Sequence, residues 1–74
     1  MSGLPRISGE TCVKALLKAG FVFKRQHGSH IVLRRDDPFA QVVVPTHREM
    51  DRGTLRAILG GAGLSAEELV ELMK

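Results

Sequence analysis

The stretch from Lys24 to Arg35 limits the folds open to this chain more than any other part of it. A polar turn at Gly28 and Ser29 has His27 and His30 on either side. Phe21, Val22 and Phe23 come before it, and Ile31, Val32 and Leu33 after it. Two runs of β-branched or aromatic residues separated by a glycine-containing gap predict an antiparallel hairpin. Gly28 suits the turn because a tight connection needs a residue at positive φ, which costs glycine nothing sterically. Side chains alternate along a strand, so Ile31, Leu33 and Arg35 share one face while His30, Val32 and Arg34 share the other. With the Ile31 and Leu33 face buried, His30 is expected to face water.

The hairpin needs partners, because two strands alone are not stable in water. Leu4 to Ile7 reads as a lead-in. Ser8 is placed to cap a helix running to about Ala19, with Val13, Leu16 and Leu17 on its apolar side and Glu10, Lys14 and Lys18 opposite. Gly20 stops it. The first strand is expected over Phe21 to Gln26, the second over His30 to Arg35 and the third over Gln41 to Val44, ended by Pro45. Asp36, Asp37 and Pro38 have the composition of the intervening turn. Asp51 caps a helix from Arg52 to about Leu59, with Leu55, Ile58, Leu59 and Ala62 as its stripe and Gly60, Gly61 and Gly63 closing it. Ser65 and Glu68 have capping-box spacing, and Leu64 and Leu69 that of a hydrophobic staple, so a last helix is expected from Ala66 to Met73. The architecture that follows is α+β, a two-layer sandwich of order α-β-β-β-α-α, with helices on one face of a three-stranded antiparallel sheet.

Seventy-four residues suit one domain, taken as 1–74, near the lower size limit for a core without staples. Cys12 is the only cysteine, which excludes an internal disulfide or a CxxC knuckle and points to a reducing interior, the cytoplasm. As a small residue beside the apolar stripe, it is expected to be buried. No apolar run is long enough to span a bilayer, and Met1 to Ile7 lacks the apolar core of a signal peptide. Eleven basic residues against eight acidic give a net charge of +3. The distribution says more than the sum. Lys14, Lys18, Lys24, Arg25, Arg34 and Arg35 surround the hairpin, whereas Glu67, Glu68 and Glu71 gather near the end.

An exposed imidazole among Lys24, Arg25, Arg34 and Arg35 is a place where a phosphodiester can be held and attacked. On the residues alone, a surface histidine beside a turn remains the plainer account of His30. His27 suits a loop contact, and His47 suits either a ligand or the connection to the second helix. Three histidines can bind zinc, but these have no diagnostic spacing and no carboxylate or thiolate is fixed among them, so no metal and no cofactor is expected. Gly53 and Thr54 open a helix whose amides could hold an anion, unless Asp51 occupies them. Arg34, Arg35, Arg48, Arg52 and Arg56 could line a nucleic-acid path. Phe21 and Phe23 are expected inside, leaving Phe39, in a loop, as the aromatic available for stacking.

Taken in order, Leu4, Pro5, Arg6, Ile7 and Ser8, then Leu16, Gly20 and Phe21, then Arg25, Gln26, Gly28, Ser29 and His30, and later Val44, Pro45, His47, Gly53, Thr54, Leu55, Ile58 and Leu59, resemble the HicA toxins of type II toxin–antitoxin systems. The resemblance implies a fold like the double-stranded-RNA-binding domain. It also implies mRNA cleavage that inhibits translation, and a HicB-type antitoxin as partner. It maps the family's catalytic histidine onto His30. By position, Lys24, Arg25 and Arg34 are candidates to hold the RNA phosphate, Ser29 or the amides of the turn at Gly28 to bind its oxygens, and His27 to make an accessory RNA contact. His27 stands where relatives often carry a basic residue, and Asp51 and Arg52 precede Gly53 where relatives commonly have proline. RNA carries its own nucleophile, the 2′-hydroxyl, so one imidazole able to take and give a proton near neutrality suits its cleavage. The expected product is a cyclic 2′,3′-phosphate formed without metal. The competing readings are a non-catalytic RNA-binding module of the same fold and a DNA-binding adaptor. The acidic last helix disfavours the latter, so neither DNA nor membrane is an expected partner.

Overall fold

Ser8 begins the first helix as its spacing predicts, its hydroxyl accepting from the Thr11 amide at 3.0 Å. The computed structural model describes residues 6–74, so Leu4 and Pro5 of the lead-in lie outside the described residues. Helix α1 spans Gly9–Lys18 and buries Cys12, Ala15 and Leu16. Its packed stripe is therefore centred one position earlier than expected, Val13 being half-buried and Leu17 exposed. Small side chains at Gly9, Cys12 and Ala15 let the helix approach the sheet, a closeness that hydrophobicity alone does not reveal. Gly20, at φ +100°, turns the chain out of the helix.

Three antiparallel strands follow in the order β1 (Val22–His27), β2 (His30–Asp36) and β3 (Phe39–Pro45). The first strand begins one residue later than expected because Phe21 leaves the sheet: its amide donates to Leu16 O at 3.0 Å and its ring is buried. The third strand is longer than expected, since Phe39 pairs with Asp36 and only Asp37 and Pro38 remain for the turn. Phe39 is thus an exposed strand residue and not a loop residue. Phe23 pairs with Leu33 and Arg25 with Val32, which leaves Lys24 as the extra residue of a bulge in β1. Phe23 shares a face with buried Leu33 but is 53% exposed, against the expectation that it packs inside. The helices cover β3 more than they cover β1, and Phe23 sits on the outer strand.

Asp51 caps helix α2 (Arg52–Ala62), its Oδ1 accepting from the Thr54 amide at 2.7 Å. The helix does not end near Leu59. It runs through Gly60 and Gly61 to bury Ala62, and Gly63, at φ +73°, terminates it. Each interior glycine costs about 1 kcal/mol of helix propensity relative to alanine. Gly61 faces Val42 closely enough that a Cβ there would stand 3.3 Å from Val42 Cγ1, and this contact with the sheet extends the helix past the expected stop. Helix α3 (Ala66–Leu72) has both halves of the Ser65–Glu68 capping box. Leu69 is buried, with Leu64, Leu72 and Met73 partly so.

All three helices lie on the face of the sheet that carries Leu33, Ala40, Val42 and Val44, and these join Cys12, Leu16, Phe21, Met50, Leu55 and Leu69 in one cluster. The fold is the expected two-layer α+β sandwich, and among the described residues the opposite sheet face has no helix on it. Among the described residues no helix is long and apolar enough to cross a membrane.

Candidate nucleic-acid interface

The register of the sheet places the predicted site residues. His27 pairs with His30, and His30 with Pro45, at the end of the sheet nearest the Gly28–Ser29 turn. One step along, Arg25 pairs with Val32 and Val32 with Val43; the next row is Val22, Arg34 and Gln41. Since β2 alternates, with Ile31 and Leu33 toward the helices, His30, Val32 and Arg34 point to the uncovered face, and their cross-strand partners go with them. Cross-strand partners stand about 4.5–5.5 Å apart at Cβ, so the two imidazoles are neighbours. His30 is exposed, as expected. Val32 is buried although it lies outside the helix-side cluster, between Arg25 and Val43.

The turn that presents the histidines is held from both sides. Gly28 has φ +57°, and Gln26 Nε2 donates to the Gly28 carbonyl at 2.9 Å. Ser29 O accepts from the Thr46 amide at 2.7 Å, tying the turn to the segment after β3. That segment is laced in turn to the chain before α1, where Gly9 N donates to His47 O and Met50 N to Ile7 O, both at 2.9 Å. Gly9, Gln26 and Thr46 are therefore positioning residues that the sequence reading did not single out. Their signal was local only for Gln26, two residues before the glycine whose carbonyl it holds.

Lys24, Arg25, His27 and His30 make no side-chain hydrogen bond or ion pair with any described residue, so their polar atoms remain available to a ligand. Arg34 is half-buried and its Nε lies 3.1 Å from Asp36 Oδ1, so this cation is shared with a carboxylate. Arg35 belongs to the other side. Its Nε donates to Pro38 O at 3.0 Å, its Nη2 to Ala62 O at 3.3 Å, and its guanidinium lies 4.8 Å above the Phe21 ring. Strand alternation turns Arg35 toward the helices, where it satisfies the end of α2, and so removes it from the arginine path that the sequence suggested. Arg56, on α2, is likewise on the helix layer. The α2 amides also hold no vacancy at Thr54, because Asp51 occupies it. Those bonds from Thr54 keep the Asp51 carboxyl below its ordinary value of 3.8.

Around the edge of the same sheet end, on the helix side, lies a pocket of about 380 Å³. Val13 and Ile31 form part of its wall, with Glu10, His47 and Arg48 among its polar residues.

Compared with known protein families, residues 9–64 match the family described as the HicA toxin of bacterial toxin–antitoxin systems. The chain belongs to the HicA toxin family. The match takes in α1, the whole sheet and α2, and therefore every residue of the histidine face. No protein of curated function matches the chain. Membership makes this HicA chain the toxin of a toxin–antitoxin system, with an antitoxin as its partner.

Proposed function

We propose that this HicA toxin is an endoribonuclease, an mRNA interferase, that cleaves messenger RNA without a metal ion through His30 as general acid and base. The observation that carries the reading is the placement of His30: exposed, unbonded, on the uncovered sheet face, with His27 in register and Arg25 one row away. The 2′-oxygen of the RNA attacks phosphorus while its proton goes to His30. The bond to the 5′-oxygen breaks, that oxygen takes a proton from the His30 imidazolium, and a cyclic 2′,3′-phosphate, a 5′-hydroxyl and neutral His30 remain. One positioned acid or base supplies about 10²–10⁴ in rate, and the remainder comes from alignment and from cations at the phosphate. Lys24 and Arg25 supply that charge, Arg34 in part, and Gly28 and Ser29 shape the turn against which the backbone lies. His27 is a contact residue beside the catalyst. The antitoxin, of the HicB type, silences the toxin by covering this face, and the toxin acts in the cytoplasm, where a single buried thiol stays reduced.

The test is incubation of the purified chain with a long unstructured RNA in EDTA beside folded His30→Ala, followed by analysis of the new ends. Cyclic or 3′-phosphate ends from the parent alone are expected. Cleavage that leaves 5′-phosphates and requires Mg²⁺ would overturn the mechanism. RNA binding by both proteins without cleavage would point to a non-catalytic RNA-binding module or to an enzyme that acts only on translated messages.

A further inference from the structure

We infer that the pocket on the helix side of the histidine turn is a guanine subsite, which takes the base of a substrate nucleotide next to the scissile phosphate. The inference rests on the ribonuclease reading for its substrate and on separate residues for its selectivity. At about 380 Å³ the pocket is large enough for one base with its sugar. Val13 and Ile31 give it apolar wall suited to a ring. Ile31 follows His30 in β2 with its side chain on the opposite face, so pocket and histidine are two sides of one strand end. Thr46, on the pocket rim, donates its amide to Ser29 O, so the rim and the turn are one hydrogen-bonded unit. A nucleotide chain crossing this end of the sheet meets both.

The polar groups decide which base fits. Ser8 is spent, since its hydroxyl both accepts from the Thr11 amide and bonds the Thr11 hydroxyl. Glu10, His47 and Arg48 make no side-chain bond with the described residues. Glu10 thus offers two unengaged acceptor oxygens, and His47 and Arg48 offer donors for the sugar-phosphate. Guanine alone presents two adjacent donors, N1–H and the 2-amino group, to a carboxylate. Adenine and cytosine place a ring acceptor beside their single amino group, and uracil flanks its one N–H with two carbonyls; a carboxylate is repelled by each of those acceptors.

The test titrates 3′-GMP, 3′-AMP, 3′-CMP and 3′-UMP into the full chain and its Glu10→Gln variant, followed by amide NMR. The expected result is movement of the Glu10, Val13, Ile31 and Thr46 amides by 3′-GMP at roughly 10- to 100-fold lower concentration than by the others, the discrimination one bidentate base contact carries. Glu10→Gln is expected to lose that preference with its melting temperature retained. Equal response to all four nucleotides, shifts confined to the His30 face, or an undiminished preference in Glu10→Gln would each overturn the inference. Mapping of RNA ends separates the two readings. Cleavage with no guanine bias at any fixed position beside the cut retires the subsite and leaves the nuclease. A guanine-selective pocket on a chain that cuts no RNA retires the nuclease, and with it the place beside a scissile phosphate, and leaves a guanine-binding pocket.

Discussion

Replacing Gly9 by alanine adds one methyl group at the point where α1 meets the end of β3. Gly9 is buried, and a Cβ there would collide with the Pro45 carbonyl oxygen, at 2.9 Å from the Pro45 carbonyl carbon and 3.0 Å from Thr46 Cα. All three are backbone atoms, so no side chain can rotate away, and α1 must move off the sheet. Overpacking of this kind costs about 1–3 kcal/mol. The shift also strains the 2.9 Å bond from Gly9 N to His47 O, worth about 0.5–1.5 kcal/mol. The better helix propensity of alanine returns at most about 1 kcal/mol. The net loss is about 2 kcal/mol, and for a chain of this size each kcal/mol moves the melting temperature by roughly 4–8 °C, so Gly9→Ala is expected to melt about 10 °C below the parent. Gly60→Ala is the matched control, because no atom outside its own helix lies within 4 Å of its added Cβ. There only the propensity gain operates, and the melting temperature rises. Circular dichroism melts of the three proteins decide the matter. A Gly9→Ala protein melting within roughly 2 °C of the parent, or above it, would show that the closeness of α1 and β3 is not what that position maintains.

Arg35→Ala removes two bonds to carbonyls and a contact with the Phe21 ring, so about 2 kcal/mol of stability is expected to go, seen as a lower urea midpoint. Arg34→Ala, which breaks only the surface pair with Asp36, is expected to cost less than about 1 kcal/mol. The folded-state pKa of Asp51 is lowered, so its capping contribution is complete above its ordinary 3.8 and is lost as the pH falls through the lowered value. Asp51→Asn is expected to flatten the acid limb of a plot of melting temperature against pH, and an unchanged limb would refute the assignment. Burial pushes the Cys12 thiol up to about 11, so iodoacetamide at pH 8 is expected to leave the folded chain unlabelled and to label it fully in urea, as read by mass spectrometry. Rapid labelling without denaturant would contradict that burial.

Elements whose signals are local are legible in the sequence alone. Ser8, Asp51 and Ser65 cap the three helices because a short polar side chain can reach an amide two or three residues ahead whatever lies elsewhere in the chain. The hairpin around Gly28 and Ser29, and with it the exposure of His30, followed from strand alternation and one glycine at positive φ. What failed to be legible depended on partners distant in sequence. Nothing near Gly60 and Gly61 says that α2 should run through them; Val42, almost twenty residues away, does. Phe23 looks like core by composition and is exposed because its strand lies at the uncovered edge.

The same division runs through the site. His30 and Arg34 could be placed on a common side by counting along β2, yet the one-residue bulge at Lys24, which brings Arg25 to that side, and the pairing of His27 with His30 set which groups face the same ligand. Arg35 shared their charge and their neighbourhood in sequence, and tertiary structure assigned it to the end of α2. By itself the sequence determined the elements, their caps and the hairpin that exposes the histidine, because those depend on interactions spanning a few residues. Only the tertiary structure decided which cations remain available beside it and that a pocket opens behind it at Glu10 and Arg48, because charge pairing and cavity shape belong to segments brought together by the core.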